Sequence, residues 1–189
     1  MTSEESVAAY WNRQAASFDD EPDHGLTDAD VRLAWSRRFS EWLPEGPLTI
    51  ADLGCGTGSV SLLLAEAGHR VAGIDVSPAM IERSRDKART AGASVRFAIG
   101  DASAPDLERG AFDAVVARHI IWTLPDPADA LRRWACLLDA GGRLIAVEGR
   151  WGTAGIASHD LRDLFSPLFR RVEHHPPVGR RTALGAGGH

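Results

Sequence analysis

Three glycines at alternate positions, Gly54, Gly56 and Gly58, follow an apolar segment and precede a helical one. A strand that runs into a helix through such a turn leaves bare backbone open to a ligand, and the amides of the helix N-terminus point towards it. The turn therefore predicts a ligand site in a fold whose strands and helices alternate. It differs from the dinucleotide-binding turn G-x-G-x-x-G, because Ser59 takes the place of the third glycine.

An aspartate at a predicted strand end, Asp52, favours a cationic ligand over a phosphate. Asp52 ends the strand before the turn, and Asp75 ends the next apolar segment. A pyrophosphate lying about 4 Å from Asp52 would be disfavoured by about 4 kcal/mol per charge pair at an effective dielectric near 20. The ammonium and sulfonium of S-adenosylmethionine would be favoured there instead. Asp75 can accept both ribose hydroxyls, but nicotinamide cofactors use the same contact, so Asp75 does not discriminate.

Five segments of the chain carry a family resemblance in their order and spacing. They are residues 52–58, 73–77, 100–102, 112–116 and 137–145. With these segments the chain resembles the class I S-adenosylmethionine-dependent methyltransferases, most closely their small-molecule, methyltransferase type 11-like branch. The resemblance extends from about residue 10 to about residue 175. It implies a Rossmann-like α/β fold, a three-layer sandwich around a mostly parallel sheet.

The pattern of apolar segments agrees with alternating strands and helices. Strands are predicted at about 48–53, 70–75, 94–99, 112–117, 142–148 and 170–175, and N-terminal helices at 4–18 and from about Asp28. Ser77 and Pro78 predict the start of a further helix after the second strand. We expect a helical lid over 1–46, a donor-binding core over 47–176 and an irregular tail over 177–189. The family closes its sheet with a seventh, antiparallel strand. Residues 179–189 are glycine-rich, so this strand is expected to be absent or rudimentary, with residues 182–184 as a token strand.

The resemblance implies S-adenosyl-L-methionine as cofactor and S-adenosyl-L-homocysteine as product. Around the glycine turn, Asp52 would lie near the methionine ammonium and Asp75 would hold the ribose. Val76, Met80, Asp101 and Ala102 would border the adenine, and the backbone of Arg118 would touch the cofactor. The implied cofactor-binding residues are Tyr10, Trp11, Asp52, Gly54, Cys55, Gly56, Asp75, Val76, Met80, Asp101, Ala102 and Arg118. Some have structural alternatives: Met80 could fill the core, Asp101 could cap a helix, and Trp11 could dock the N-terminal helix.

Two histidines are candidate general bases for in-line methyl transfer. His119 follows the fourth predicted strand at its carboxyl end, where parallel α/β sheets bind ligands. An imidazole there could take a proton from a hydroxyl or amine acceptor. His24 lies in the polar cluster beside the predicted lid and is the second candidate. Packing of His119 and exposure of His24 in a loop are the alternatives, and no metal site is predicted.

Composition narrows the range of partners. The net charge of −5 argues against a general nucleic-acid surface, and no apolar run reaches membrane-spanning length. With two cysteines and a polar N-terminus, we expect a cytoplasmic protein that acts on a small-molecule acceptor, without nucleic acid or membrane. Whether it forms a homodimer is left open.

Two other functions remain as alternatives. A non-catalytic cofactor-binding or interaction protein would have the same glycine turn with an abbreviated C-terminus. An NAD(P)-dependent reductase is disfavoured by the missing third glycine. The short-chain Tyr-x-x-x-Lys motif is also impossible, because Tyr10 and Lys87 are the only residues of their kinds.

Overall fold

Strands and helices alternate from residue 49 onward in the computed structural model, which describes residues 6–151 and 154–175. The strands are β1 Thr49–Leu53, β2 Arg70–Asp75, β3 Arg96–Ile99, β4 Phe112–Arg118, β5 Leu138–Val147, β6 Arg150–Trp151 and β7 Ala154–Gly155. The helices are α1 Val7–Gln14, α2 Pro22–Gly25, α3 Ala29–Trp42, α4 Ser59–Glu66, α5 Pro78–Ala91, α6 Pro127–Ala135 and α7 Ser158–Phe165. Short 3₁₀ turns cover Phe18–Asp20 and Ile121–Thr123.

Five strands form one parallel sheet in the order β3-β2-β1-β4-β5. The prediction of an α/β fold with a mostly parallel sheet is therefore confirmed. The order reverses between β1 and β4, since β2 and β3 lie on one side of β1 and β4 and β5 on the other. In such sheets the crevice outside the carboxyl ends of the strands at the reversal is the expected ligand site. Leu53 pairs with Ala117 at that point.

Apolar side chains that alternate along β1 and β4 form a core on each face of the sheet. One core packs the sheet against α3 and α4 and includes Trp35, Phe39, Ile50, Leu64 and Val116. The other packs it against α6 and α7 and includes Leu53, Val115, Leu131, Trp134 and Phe165. This gives the three layers that the resemblance implied, with helices on both faces.

Two helices begin where the sequence signals predict. Ser77 caps α5, accepting a hydrogen bond from the Met80 amide, and Pro78 occupies the first helical position. Asp28 caps α3 through hydrogen bonds from the amides of Asp30 and Val31, at 2.9 and 3.0 Å. Both caps place their helices within one residue of the expected start.

The sixth predicted strand, at 170–175, is wrong. The chain instead forms the β6–β7 hairpin and α7, and residues 170–175 have no regular secondary structure. Of these six residues only Val172 packs against the core, whereas the rest are charged or histidine and exposed. A segment with a single apolar residue gains too little burial to be held as a strand. The expected token strand at 182–184 and the tail at 177–189 lie outside the described residues.

Gly58 allows a direct stability test of the turn. It caps α4 with a left-handed φ of +80°, and a Cβ there would lie 2.8 Å from Phe97 Cζ and 2.9 Å from Ser84 Cβ. Gly58→Ala should therefore lower the free energy of unfolding by about 2–5 kcal/mol, combining backbone strain with overpacking. Gly110 is the matched control: its φ is +67°, and a Cβ at this position would have no atom within 4 Å. Gly110→Ala should cost only about 1–2 kcal/mol in urea unfolding. Equal losses for the two variants would contradict the steric argument.

Candidate functional site

The glycine turn is hydrogen-bonded to the end of the neighbouring strand. The amides of Gly54 and Cys55 both donate to the carbonyl of Ile74 at 2.9 Å, which holds the turn against β2. Gly54 and Gly56 both have left-handed φ angles, at +70° and +54°. Because this backbone conformation strains any residue with a Cβ, glycine is needed for the shape of the turn as well as for close approach by a ligand.

Asp75 contacts the turn directly. Its Oδ2 accepts a hydrogen bond from the Gly56 amide and its Oδ1 from the Ser77 amide, both at 2.9 Å. Burial raises the pKa of Asp75, and the two amides partly offset that effect. Each carboxylate oxygen can accept a further bond. The predicted ribose-binding carboxylate and the predicted glycine turn are thus in contact, as a shared nucleoside site requires.

Two apolar side chains lie over the glycines. A Cβ on Gly54 would overlap the side chain of Ile120, and a Cβ on Gly56 would lie 3.3 Å from Cε1 of Phe18. Ile120 comes from the segment after β4, and Phe18 from the N-terminal segment. The backbone of Gly54 and Gly56 is therefore covered from both sides of the crevice. Two depressions on the described surface, of about 350 and 150 Å³, are lined by residues outside this turn.

Aromatic rings lead from α1 to the crevice in successive contacts. Tyr10 and Trp11 pack edge to face at 5.1 Å, and Trp11 contacts Phe18 at 6.1 Å. Phe18 stacks on His24 at 4.5 Å with an interplanar angle of 12°. Of the two predicted lid aromatics, Trp11 reaches the glycine turn through Phe18, whereas Tyr10 lies one ring further away.

Polar contacts that the sequence did not predict hold the N-terminal segment on the core. Asn12 Oδ1 accepts hydrogen bonds from Ser77 Oγ and the Ala79 amide, at 2.7 and 3.1 Å. Asp19 accepts a hydrogen bond from Lys87 Nζ at 3.1 Å and another from the Thr57 hydroxyl. These contacts join residues 38 to 68 positions apart, so no local sequence signal could have found them.

Lys87 also contacts the start of α4. Its Nζ donates to Thr57 Oγ1 at 3.2 Å and to Ser59 Oγ at 2.8 Å. Burial lowers the pKa of Lys87, and the Asp19 carboxylate opposes that shift. The only lysine of the chain therefore connects the N-terminal segment, the glycine turn and α5.

Arg118 is the buried cation of the crevice. Its guanidinium donates to the backbone carbonyl of Asp23, lies 3.6 Å from the Asp23 carboxylate, and stacks 5.4 Å over the ring of Trp35. Burial lowers its pKa, while the charges of Asp23 and Asp52 raise it. The prediction gave Arg118 a backbone contact with the cofactor; the structure adds a side chain that joins α2 to the sheet.

Asp52 lies beneath the turn. Only 2% of it is exposed, and its Oδ2 accepts a 2.5 Å hydrogen bond from Ser61 Oγ. Burial raises the pKa of Asp52 to about 6, although Ser61 and Arg118 act in the opposite direction. A contact with a donor ammonium would have to reach this buried carboxyl, so that assignment stays a prediction.

The two candidate bases, 95 positions apart, come together at the crevice. Their ring centroids are 6.4 Å apart. His119 Nε2 lies 3.5 Å from Asp23 Oδ2, and this contact is the largest of the effects that lower the pKa of Asp23 to about 2. Burial lowers the pKa of His24, as do the neighbouring Arg118 and His119. His119 also has a left-handed φ of +61°, an uncommon conformation for a non-glycine residue that often marks functional segments.

Glu148 is a site residue outside the predicted catalytic and cofactor-binding set. It follows β5, and its Oε1 accepts hydrogen bonds from the amides of Ile120 and Ile121, at 2.9 and 2.6 Å. Burial raises its pKa to about 7. Its other oxygen, Oε2, is buried without a hydrogen-bond partner among the described residues. The sequence signal that could have indicated Glu148 is its position directly after β5, the strand next to β4.

The predicted adenine residues lie beside Asp75. The Gly100 amide donates to the Asp75 carbonyl at 2.9 Å, which brings Asp101 and Ala102 to this side of the crevice. Asp101 Oδ1 accepts from the Ser103 amide, and the Ala102 carbonyl accepts from the Trp134 indole. Val76 is half-buried, whereas Met80 is 1% exposed. Met80 thus lies in the core in this structure, and its contact with adenine stays a prediction.

Comparisons with known proteins identify the family of the chain. Residues 51–146 match the family described as a methyltransferase domain. The chain is 39% identical over 123 residues to demethylmenaquinone methyltransferase of Thermus thermophilus, covering 64% of this chain and 55% of that protein. It is 36% identical over 141 residues to aklanonic acid methyltransferase DauC of a Streptomyces species, covering 71% of this chain and 63% of that protein.

A solved structure, titled the [4+2]-cyclase SpnF, is 31% identical with a TM-score of 0.55, covering 58% of this chain and 42% of that one. The chain thus spans between about half and two thirds of the length of these curated relatives. Within the described residues, no helix is both long and apolar enough to cross a membrane. The same residues contain no group of three or more histidine, cysteine or acidic side chains arranged to hold a metal ion.

The raised pKa values predict a pH-dependent difference in stability. An acid with a higher pKa in the folded state destabilises that state as pH rises past the unfolded value. Relative to wild type, Asp52→Asn and Glu148→Gln should therefore each gain about 1–3 kcal/mol in free energy of unfolding between about pH 4 and pH 8. Urea unfolding across this range measures the difference.

The comparison with wild type isolates the two carboxyls. His24 and His69, whose pKa values burial lowers, contribute the opposite slope, but they do so in wild type and variants alike. Asp106→Asn, at an exposed position, is the control and should follow wild type. A constant difference across the pH range would show that neither carboxyl is destabilised by burial.

Proposed function

Because the chain belongs to the methyltransferase domain family, we propose that it binds S-adenosyl-L-methionine and transfers its methyl group to a small-molecule acceptor. The observation that carries the proposal is the contact between Asp75, at the end of β2, and Gly56, in the turn that follows β1 beside the reversal of the strand order. It joins the carboxylate that we propose binds the ribose to a turn whose left-handed φ angles favour glycine.

The charges and shape of the crevice favour this donor. Asp52 and Asp75 offer two carboxyls to a ligand that carries an ammonium and a sulfonium. A pyrophosphate would be repelled by the Asp52 carboxylate, and the turn lacks the third glycine of the dinucleotide-binding turn. Phe18 lies over Gly56, and an aromatic face beside a sulfonium adds a cation–π attraction of about 0.5–2 kcal/mol.

The donor would lie along the sheet tips. In this proposal Gly54, Cys55 and Gly56 contact its methionine part and Asp75 its ribose. Val76, Met80, Asp101 and Ala102 border its adenine, and the Arg118 backbone lies beside it. Residues 1–46, with Tyr10 and Trp11, act as the lid, which is consistent with the contacts of Asn12 and Asp19 on the core.

When bound, the donor supplies the methyl group on its sulfonium. The chain's own residues hold the acceptor in line and exclude water, which can contribute an effective molarity of up to about 10⁵–10⁸ M. His119 would accept a proton from an acceptor that must lose one, adding about 10²–10⁴-fold. Asp23 would orient the His119 ring through their contact, and His24 is the alternative base.

We propose a small molecule as acceptor because two similar curated proteins are named for methylation of small molecules. The net charge of −5 supports action without nucleic acid. The two cysteines are free thiols, which is consistent with a cytoplasmic protein.

A second candidate function is a reaction other than methyl transfer at the same nucleoside site. The similarity to the [4+2]-cyclase favours it, since that protein shares the fold and is named for a different reaction. A non-catalytic binding protein belongs to the same alternative. Cofactor binding with no transfer of label from methyl-labelled donor to any acceptor would favour it over the proposal.

Donor binding is the first test. Calorimetry should detect binding of S-adenosyl-L-homocysteine and none of NADH. Asp75→Ala should weaken that binding by about 10–100-fold, because the ribose loses charge-assisted hydrogen bonds. Asp106→Ala removes an exposed carboxylate elsewhere and should bind as wild type. Binding of NADH, or unchanged affinity in a folded Asp75→Ala variant, would contradict the assignment.

The base can be tested separately from the donor. His119→Asn cannot accept the proton but tolerates a left-handed backbone. It should reduce kcat by about 10²–10⁴-fold with a hydroxyl or amine acceptor. Affinity for S-adenosyl-L-homocysteine should stay within about threefold of wild type, and His159→Asn, at an exposed histidine, is the control. Unchanged kcat would exclude His119, and His24→Asn would then test the alternative base.

A further inference from the structure

Glu148 holds the backbone that follows β4. The amides of Ile120 and Ile121 both donate to the same oxygen, Oε1, at 2.9 and 2.6 Å. These amides begin the 3₁₀ turn Ile121–Thr123, and groups at the start of such a turn have no partner within it. The carboxyl of Glu148 thus satisfies two amides of the segment that closes one side of the crevice.

This segment contains an unfavourable conformation that its surroundings must maintain. His119 has a left-handed φ of +61°, which costs a non-glycine residue about 1–2 kcal/mol. On one side, the His119 amide donates to the Val147 carbonyl at 2.8 Å and extends the parallel pairing of β4 with β5. On the other side, Glu148 fixes the next two residues. Val147, the last residue of β5, and Glu148, which follows it, therefore hold the backbone on both sides of His119.

The held residues face the predicted donor and acceptor sites. Ile120 packs over Gly54 in the glycine turn, and His119 lies 3.5 Å from Asp23. The indole of Trp122 donates to the His119 carbonyl at 3.0 Å, so the next side chain is fixed as well. A shift of the turn would move the cover of Gly54 and the candidate base together.

We propose that Glu148 is a positioning residue whose Oε1 fixes Ile120 over the donor-binding turn and His119 opposite Asp23. The inference rests on the proposed function. It predicts that the length of the side chain and an oxygen at Oε1 matter, whereas the charge does not. The burial of Oε2 without a partner among the described residues supports this, because Oε1 alone makes the contacts.

Two substitutions test separately whether the length or the charge of the Glu148 side chain is required. Glu148→Gln keeps the length and one amide oxygen but removes the charge. Glu148→Asp keeps the charge but shortens the side chain by one methylene, so its oxygen cannot reach both amides in the same backbone. Glu108→Asp makes the same change at an exposed glutamate and is the matched control.

Amide hydrogen exchange and calorimetry test the inference together. In Glu148→Asp, exchange at Ile120 and Ile121 should accelerate by about tenfold or more, and affinity for S-adenosyl-L-homocysteine should fall by about tenfold. Both readouts for Glu148→Gln should stay within about threefold of wild type. With an acceptor that the protein methylates, kcat should also fall below the wild-type value in Glu148→Asp and stay near it in Glu148→Gln. Glu108→Asp should match wild type throughout.

The opposite pattern would overturn the inference. A functional Glu148→Asp beside a defective Glu148→Gln would mean that the charge or its proton is required instead. Unchanged exchange and affinity in both variants would show that the contact positions nothing. A wild-type protein that binds no S-adenosyl-L-homocysteine would refute the proposed function instead, while exchange at the two amides would still decide whether Glu148 anchors the turn.

Discussion

The burial of Arg118 is the constraint around which the crevice is assembled. Taking a guanidinium out of water costs several kcal/mol unless charges and hydrogen bonds replace the lost hydration. The replacements come from separate parts of the chain: a carbonyl and carboxylate of Asp23, the ring of Trp35, and the charge of Asp52. Asp23 also accepts a 2.8 Å hydrogen bond from the Trp35 indole. Satisfying one buried cation therefore docks α2, orients α3 and sets the position of His119.

The same low-dielectric surroundings explain the unusual acids. Asp52 and Glu148 both lie at the carboxyl ends of strands, and burial raises the pKa of both. Asp23, which is half-exposed and faces Arg118 and His119, is shifted in the opposite direction. The crevice therefore holds carboxyls that gain and lose protons over very different pH ranges, an arrangement that often accompanies binding and proton transfer.

Much of the fold could be predicted from the sequence because its signals are local. Apolar segments gave β1, β2 and β4 to within a residue or two, and Ser77 and Asp28 gave the starts of their helices. The strand expected at 170–175 did not form, because Val172 is the only apolar residue there that can be buried. Asp52 was placed at the right strand end, but the sequence could not show that Ser61 would take one of its oxygens.

The polar contacts of the site could not be predicted in the same way. Glu148 reaches the Ile120 amide across 28 positions and Asn12 reaches Ser77 across 65. Such pairs depend on how close packed elements come, to within a fraction of an ångström, and no spacing in the sequence records that distance. The topology places His119 at the carboxyl end of β4, but neither its approach to His24 nor the role of Asp23 between Trp35 and His119 could be predicted.

The place of Lys87 has a consequence for how sequences of this kind can diverge. The Lys87 ammonium donates to Asp19 in the N-terminal segment, to Thr57 in the glycine turn and to Ser59 at the start of α4. A change at any of these four positions leaves a charge or a hydroxyl without its counterpart. Inherited replacements at these four positions should consequently occur together, so that the N-terminal segment and the glycine turn co-evolve.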